Sequence, residues 1–227
     1  MSDVLRRLPH EAVIGAKLQD QWSSLVKHAG GRPALVNYEF YRMALEYQKG
    51  NGRFHHNLFH IGKVDETLNA YRHLSRNWTA LKFAGDGHDV IYVPGSETNE
   101  LDSAAYMRVV MTRLGMPPPI ITESERIINI TKDHKTSEDD IDGKLMIDAD
   151  FTILGAPVTE YTAYAQNIWQ EYVGTGKYTP KEFKVGRVML LSQWLRQDRL
   201  FLVDEVREEL EQNARLNMER EITLLSA

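Results

Sequence analysis

Residues 53–71 read RFHHNLFHIGKVDETLNAY, and the apolar residues of this stretch recur at intervals of three and four. That spacing places them on one face of an α-helix. They are Ile61, Val64, Leu68 and Tyr71. A second stripe with the same spacing lies near the N-terminus: Ile14, Leu18, Trp22, Leu25 and Val26. Because strand-like alternation is almost absent from the chain, the sequence predicts an all-α fold.

Two capping-box patterns predict where helices begin. Thr122 lies three residues before Glu125. Thr179 lies three residues before Glu182, with Pro180 at the position favoured for a first helical residue. We therefore expect helices to begin near residues 123 and 180. Turn-rich interruptions separate the helical segments at 49–52, 93–96, 115–119 and 137–143.

Composition restricts the function classes. The chain has 227 residues, of which 42% are hydrophobic and none is cysteine, so any metal must bind His, Asp or Glu. The formal net charge of −5 gives no overall attraction to duplex nucleic acid or to an anionic membrane. No apolar run approaches the roughly 20 residues of a membrane helix, and MSDVLRRLPHEAV lacks the apolar run of a signal peptide, which predicts a cytoplasmic protein.

The histidines fall into groups with metal-ligand chemistry. His56 and His60 are four residues apart and share a helical face if the helix extends back to both. Such a pair is also common in protein cores, so either residue remains a candidate ligand. His88 and Asp89 are adjacent, and a metal bound to both would need further ligands from elsewhere in the chain.

A pair of acids lies inside an otherwise apolar segment. Asp148 and Asp150 stand within residues 145–155, which read LMIDADFTILG. A carboxylate in such surroundings normally has a cation or several hydrogen-bond donors nearby. Because residues two apart cannot face the same way on a helix, we expect one ligand and one supporting residue.

The order of these motifs resembles the HD superfamily of metal-dependent phosphohydrolases, and in particular its small predicted HD phosphohydrolase branch. The similarity runs from about residue 53 to about residue 195. The matching positions are Arg53, His56, Leu58, His60, Ile61, His88, Asp89, Tyr92, Asn99, Glu100, Ser103, Ala104, Thr131, His134, Asp148, Ala149, Asp150, Ile153, Leu154, Gly155, Glu171, Tyr172, Gly186 and Arg187.

The resemblance implies a single all-α HD-type domain over residues 1–227, with about eight to ten helices. N-terminal helices would occupy 1–50, the motif-bearing core 53–195 and a C-terminal helix 200–227. Its implied metal ligands are His60, His88, Asp89 and Asp150, with Asp148 as a supporting acid behind them. Such a ligand set suits one divalent ion, Mn²⁺, Fe²⁺, Co²⁺, Ni²⁺, Zn²⁺ or, less well, Mg²⁺.

The resemblance also implies roles for residues around the metal. Asp89 is the first candidate for orienting the attacking water, and Glu100 is the second. The residues expected to bind the substrate phosphate are Arg53, His56, His134 and Arg187. For Arg187, a salt bridge is an equally good interpretation.

The predicted function is metal-dependent hydrolysis of a phosphate ester or anhydride, with a nucleotide as the leading substrate class. An alternative is an HD protein that binds a metal or a nucleotide without turning it over. A third class, a protein that only binds partners, would use the charged segment Asp204–Glu221 and would hold no metal.

Overall fold

The computed structural model describes residues 2–49 and 52–227, with side chains from residue 12 onward in these ranges. It is 74% helical, and its described part contains ten α-helices and no strand, which confirms the all-α prediction. The helices are α1 (Ser2–His28), α2 (Val36–Gln48), α3 (Leu58–Ala70), α4 (Trp78–Gly87), α5 (Asn99–Arg113), α6 (Pro118–Ile130), α7 (Ile141–Phe151), α8 (Val158–Trp169), α9 (Pro180–Leu195) and α10 (Asp204–Ser226).

Shorter elements connect these helices. Three are 3₁₀ turns, at Pro33–Leu35, Arg72–Leu74 and Thr152–Gly155, and one is a π-helical turn at Gln170–Gly174. The predicted interruption at 49–52 includes residues 50 and 51, which lie outside the described residues, as does residue 1. Within the described ranges, every helix is too short or too polar to span a lipid bilayer.

One of the two predicted helix starts is confirmed and the other is wrong. Helix α9 begins at Pro180, and Thr179 and Glu182 form the reciprocal hydrogen bonds of a capping box. Helix α6 begins at Pro118 rather than near residue 123. Proline is well suited to the first turn of a helix, where its missing N–H has no acceptor to lose, so the helix starts within the proline run.

The two predicted apolar stripes form much of the core. In α1, Leu18, Trp22 and Val26 are fully buried, and in α3 Ile61 and Val64 are as well. Each such side chain contributes about 1.5–3 kcal/mol by leaving water. The C-terminal helix α10 packs against α9 and the 152–155 turn and buries Val206, Ala214 and Met218.

Close packing of α4 explains the glycines that precede His88. A Cβ on Gly85 would lie 2.5 Å from Leu68 of α3, and one on Gly87 would overlap Met107 of α5. Glycine destabilises the interior of a helix by about 1 kcal/mol relative to alanine. Here the absence of side chains at Gly85 and Gly87 allows α3, α4 and α5 to approach closely. This approach brings His88 against α3.

A buried network of charged and polar side chains connects α1, α2, α3 and α4. The Lys82 amine is fully buried and lies 3.0 Å from a carboxylate oxygen of Asp65. It also pairs with Asp86 within its own helix. The indole N–H of Trp22 donates to Asp86 over 2.6 Å, and the Tyr47 hydroxyl donates to the Asp86 carbonyl over 2.8 Å.

Candidate metal centre

The four predicted ligands converge between α3, the end of α4 and α7. His60 Nε2 lies 3.2 Å from His88 Nε2, 3.2 Å from Asp150 Oδ1 and 3.5 Å from Asp89 Oδ2. His88 Nε2 lies 3.2 Å from Asp89 Oδ2 and 3.6 Å from Asp150 Oδ1. The Nε2 atom of each histidine therefore lies close to the Nε2 atom of the other histidine and to an oxygen of each carboxylate.

These spacings fit a metal ion. Donor atoms that bind one ion at about 2.0–2.2 Å stand about 2.8–3.6 Å apart at neighbouring coordination positions. His60, His88 and Asp150 each offer a ligand atom, and these atoms all lie within 4.8 Å of one another. This group can hold a metal ion, and Asp89 adjoins it through the two histidines.

His88 is oriented for ligation by the backbone of α4. Its Nδ1 lies 2.9 Å from the carbonyl oxygen of Gly85. Because a carbonyl only accepts, Nδ1 carries the proton, and Nε2 of a neutral ring presents its lone pair to the cluster. Burial lowers the pKa of His88, but Asp89 and Asp150 together raise it by more than burial lowers it. The resulting pKa of His88 is well above its usual value.

The two carboxylates remain ionised. Burial raises the pKa of Asp89 and of Asp150, yet the surrounding histidines hold both well below the usual range. The centre thus contains two negative charges that histidine protons or a bound cation must balance. His134 takes part, since its Nε2 lies 3.0 Å from Asp150 Oδ2.

His56 lies beside this cluster rather than within it. Its Nδ1 is 2.6 Å from Glu171 Oε2, and its ring stacks on Tyr92 with 3.9 Å between the ring centroids. Of the two candidates left open by the sequence, the structure places His60 among the ligand atoms. His55 packs as an aromatic ring, 4.6 Å from His60 and 4.7 Å from Tyr164 between centroids.

Glu171 anchors the segment before α3, a role that sequence reasoning did not assign. This fully buried residue accepts the backbone N–H groups of His55 and His56 at 2.7 and 3.0 Å. It sits in the π-helical turn that follows α8, a type of irregularity common at functional sites. The signal was available, because Glu171 is an acid among apolar residues, as Asp148 and Asp150 are.

The predicted place of Asp148 behind the metal ligands is wrong. Its carboxylate accepts the backbone N–H groups of Leu202 and Val203, each at 2.7 Å, on the far side of α7 from Asp150. Burial raises the pKa of Asp148 to about 7. Asp148 therefore stabilises the start of α10. Asp148 and Asp150 face different ways on α7, as expected from their spacing.

Arg53 has partners other than the predicted phosphate. Its guanidinium donates to the carbonyl oxygens of Asp89 and Val90, each over 2.8 Å, and to that of His56 over 3.2 Å. It also lies over the Tyr47 ring, 5.3 Å from the centroid. These bonds fix the backbone that carries Asp89, which makes Arg53 a positioning residue.

Arg187 lies in a buried ion pair. Its Nε donates to Glu221 over 2.9 Å, and its Nη2 donates to the Tyr164 hydroxyl over 3.2 Å. Of the two interpretations left open for this residue, the structure supplies the salt bridge, although a buried one. The guanidinium also packs over the Tyr164 ring at 5.3 Å from its centroid.

Two residues of α5 fix the loop that follows Asp89. The Asn99 side chain bonds both the N–H and the carbonyl of Val93, and the Ser103 hydroxyl bonds both groups of Ile91. This loop carries Tyr92 over His56. The motif positions at 99 and 103 thus shape the wall of the site rather than supply its chemistry.

Several cavities lie near the ligand cluster, and one of 340 Å³ is lined by His60. Two others share part of their walls. The metal-side cavity, of 190 Å³, is lined by Asp89, Asp150 and Glu100 among others. The aromatic cavity, of 590 Å³, is lined by Tyr164, Tyr172, Tyr178, Phe183 and Trp194 together with aliphatic residues. Glu100 therefore faces the same space as the candidate ligands.

The two histidines predicted to bind phosphate, His56 and His134, line both cavities, as does Tyr172. His134 adopts a positive φ of 50° and packs on Phe151 with 4.4 Å between ring centroids.

No family model, curated protein or solved structure matches this chain.

Proposed function

We propose that this protein is a metal-dependent phosphohydrolase that cleaves a phosphate ester or anhydride, with a nucleotide as the leading substrate class. The observation that carries the proposal is the convergence of His60, His88, Asp89 and Asp150 beside a cavity that Glu100 also lines. The resemblance of the same residues to HD phosphohydrolases supports it.

The donor set fits a first-row divalent ion. Two imidazoles and two carboxylates suit Mn²⁺, Fe²⁺, Co²⁺, Ni²⁺ or Zn²⁺ better than Mg²⁺, which prefers oxygen ligands. His60, His88, Asp89 and Asp150 would hold the ion. When bound, such an ion lowers the pKa of a water molecule and polarises a phosphoryl oxygen.

The remaining chemistry belongs to side chains of the metal-side cavity. The Asp89 carboxylate is ionised, so it can accept a hydrogen bond from an attacking water and orient that water. The Glu100 carboxylate lines the same cavity and is the second candidate acceptor. His134, whose Nε2 lies 3.0 Å from Asp150 Oδ2, and His56 both lie on the wall shared by the two cavities.

A binding protein without turnover is the second candidate function. One observation favours it: both arginines expected to grip phosphate are engaged elsewhere, Arg53 with backbone carbonyls and Arg187 with Glu221. Under this alternative, the centre would bind a metal and a phosphorylated ligand, and no phosphate would be released.

The deciding experiment separates metal binding from turnover. Chelator-treated protein would be reloaded with Mn²⁺, Co²⁺, Zn²⁺ or Mg²⁺ and assayed for phosphate release from a panel of esters and anhydrides. We expect release that stops on chelation and returns with a specific ion. The Asp89→Asn variant should lose turnover, whereas the exposed Asp20→Asn variant should not. Metal binding without release from any compound would favour the binding protein.

A further inference from the structure

The aromatic cavity and the metal-side cavity are neighbours that share part of their walls. His56, His134 and Tyr172 belong to the lining of both. The volume of 590 Å³ is within the range of small-molecule sites. A molecule with its phosphate beside Asp89 and Asp150 would therefore extend past these shared residues into the aromatic cavity.

The lining of the aromatic cavity suits a planar apolar group. Tyr172 and Tyr178 stack nearly parallel, with 5.7 Å between ring centroids, and Trp194 packs on Phe151 at 5.0 Å. Aromatic walls of this kind bind flat rings by offset stacking and edge contacts. Trp194 is partly exposed, so its indole can report on a bound ring.

The charges around the two cavities disfavour a polyphosphate chain. Among the described residues that line them, Arg187 is the only lysine or arginine, and Glu221 already balances its charge. Glu182 adds a carboxylate to the wall of the aromatic cavity. A polyphosphate needs several cationic groups, whereas a single phosphoryl group can be balanced by one metal ion.

Gly186 contributes no side chain to the wall of the aromatic cavity. It lies within α9 on the cavity wall, and a Cβ added there would meet no atom within 4 Å. Glycine inside a helix costs about 1 kcal/mol relative to alanine. At Gly85 the close packing of helices requires a residue without a side chain, whereas no neighbouring atom requires one at Gly186. The glycine at position 186 leaves open space at the wall of the aromatic cavity.

Building on the proposed function, we propose that the substrate is a phosphomonoester of a planar aromatic group, whose ring occupies the aromatic cavity. The oxygen of water bonds to phosphorus as the bond between phosphorus and the ester oxygen breaks. The proton released by the water ends on the departing oxygen. The products are one inorganic phosphate and one hydroxyl compound that carries the aromatic ring, as a nucleoside does.

The test adds a side chain at the cavity wall. Gly186→Leu changes a residue that lines the cavity, while Val185→Leu changes the adjacent exposed residue, which is not part of the lining. Binding of 1-naphthyl phosphate to the metal-loaded protein would be measured by stopped-flow tryptophan fluorescence, before turnover. We expect Gly186→Leu to weaken it by about tenfold or more and Val185→Leu to leave it unchanged.

Turnover by the metal-loaded protein gives the second measurement. We expect wild type to prefer 1-naphthyl phosphate over methyl phosphate and ATP. Gly186→Leu should lower kcat/KM for 1-naphthyl phosphate about tenfold or more and change that for methyl phosphate less than about twofold. Unchanged naphthyl phosphate binding in a folded Gly186→Leu variant, or a preference of wild type for ATP, would overturn the proposal.

The two proposals can fail separately. If naphthyl phosphate binds, Gly186→Leu abolishes binding and no compound is hydrolysed, then the hydrolase function and the cleavage step are wrong, and the cavity remains the binding site of an aromatic phosphate. If metal-dependent phosphate release occurs but is insensitive to Gly186→Leu, then the hydrolase function stands, and the assignment of the aromatic cavity is wrong.

Discussion

The Nε2 atoms of His60 and His88 face each other across 3.2 Å. Since Nδ1 of His88 donates to the Gly85 carbonyl, Nε2 of the neutral ring has a lone pair and no hydrogen. At this distance two ring nitrogens that both lack hydrogen repel each other, and a proton or a cation between them removes that repulsion. The pair is therefore arranged for a shared positive charge, and the flanking carboxylates of Asp89 and Asp150 strengthen that demand.

Metal content should depend on His60 and much less on His56. We expect His60→Ala to lose most of the metal, since Nε2 of His60 lies among the ligand atoms. His56→Ala should retain most of it, because His56 bonds Glu171 instead. Elemental analysis of purified, metal-reloaded proteins checks this, with the exposed His28→Ala as the control. Full retention in His60→Ala would remove it from the ligand set.

Arg53 should act through the backbone at Asp89. Its replacement by alanine removes three hydrogen bonds from a charged donor group, and we expect a loss of about 1.5–3 kcal/mol in the free energy of unfolding. Metal affinity should fall as well, because Asp89 loses its support. Urea unfolding and metal titration measure the two effects. The exposed Arg76→Ala, which loses one bond to the Asp139 carbonyl, is the control.

If Arg53 instead gripped substrate, its removal would leave both stability and metal affinity unchanged and would impair only turnover. That pattern would contradict the positioning role.

Lys82 should be among the most sensitive positions for stability. Lys82→Met leaves Asp65 and Asp86 buried without their shared cation, which we expect to cost about 3–5 kcal/mol. The control is Lys63→Met, which breaks an exposed pair with Glu66 and should cost less than about 1 kcal/mol. Chemical denaturation of both variants provides the comparison. Equal losses would mean that the buried network contributes no more than a surface pair.

Asp140 should stabilise the start of α7 in a pH-dependent way. Its side chain caps the Gly143 N–H at 3.0 Å, and Asp140→Ala should cost about 1–2 kcal/mol at neutral pH. Burial raises the pKa of Asp140, but Arg126, Thr136 and the Gly143 N–H lower it more, so the folded-state pKa lies below the usual value.

The sign of the pH effect follows from that lowered pKa. The ionised carboxylate stabilises the fold above the unfolded-state pKa of about 3.9, and this stability is lost as the pH falls through the folded-state pKa. The difference between wild type and Asp140→Ala should therefore shrink below about pH 4. Unfolding curves at pH 7, 4 and 3 test this, with the exposed neighbour Asp139→Ala as the control.

Local patterns predicted what depends on local structure. The stripes of α1 and α3 follow from helical periodicity, and the start of α9 follows from the capping box at Thr179. The start of α6 was misplaced because Thr122 and Glu125 form a capping pattern inside a helix that the prolines had already begun. Single motifs do not reveal which of two competing start signals wins.

Long-range partners explain the other differences. Arg187 pairs with Glu221, 34 residues away, and Glu171 bonds His56 across 115 residues. No spacing rule indicates such contacts, so a free arginine and a neutralised one look the same in the sequence. The motifs nevertheless grouped His60, His88, Asp89 and Asp150, and the structure places their side chains close together, while their role as metal ligands stays a prediction.

The position of Asp148 has a consequence for how the protein is made. Helix α7 carries Asp150 on one side and, on the other, a carboxylate held by N–H groups 54 and 55 residues further along the chain. A ribosome releases α7 well before those groups exist, so Asp148 emerges without its donors. We expect the helix that carries Asp150 to reach its final position only after residues 202 and 203 have been synthesised and α10 has docked.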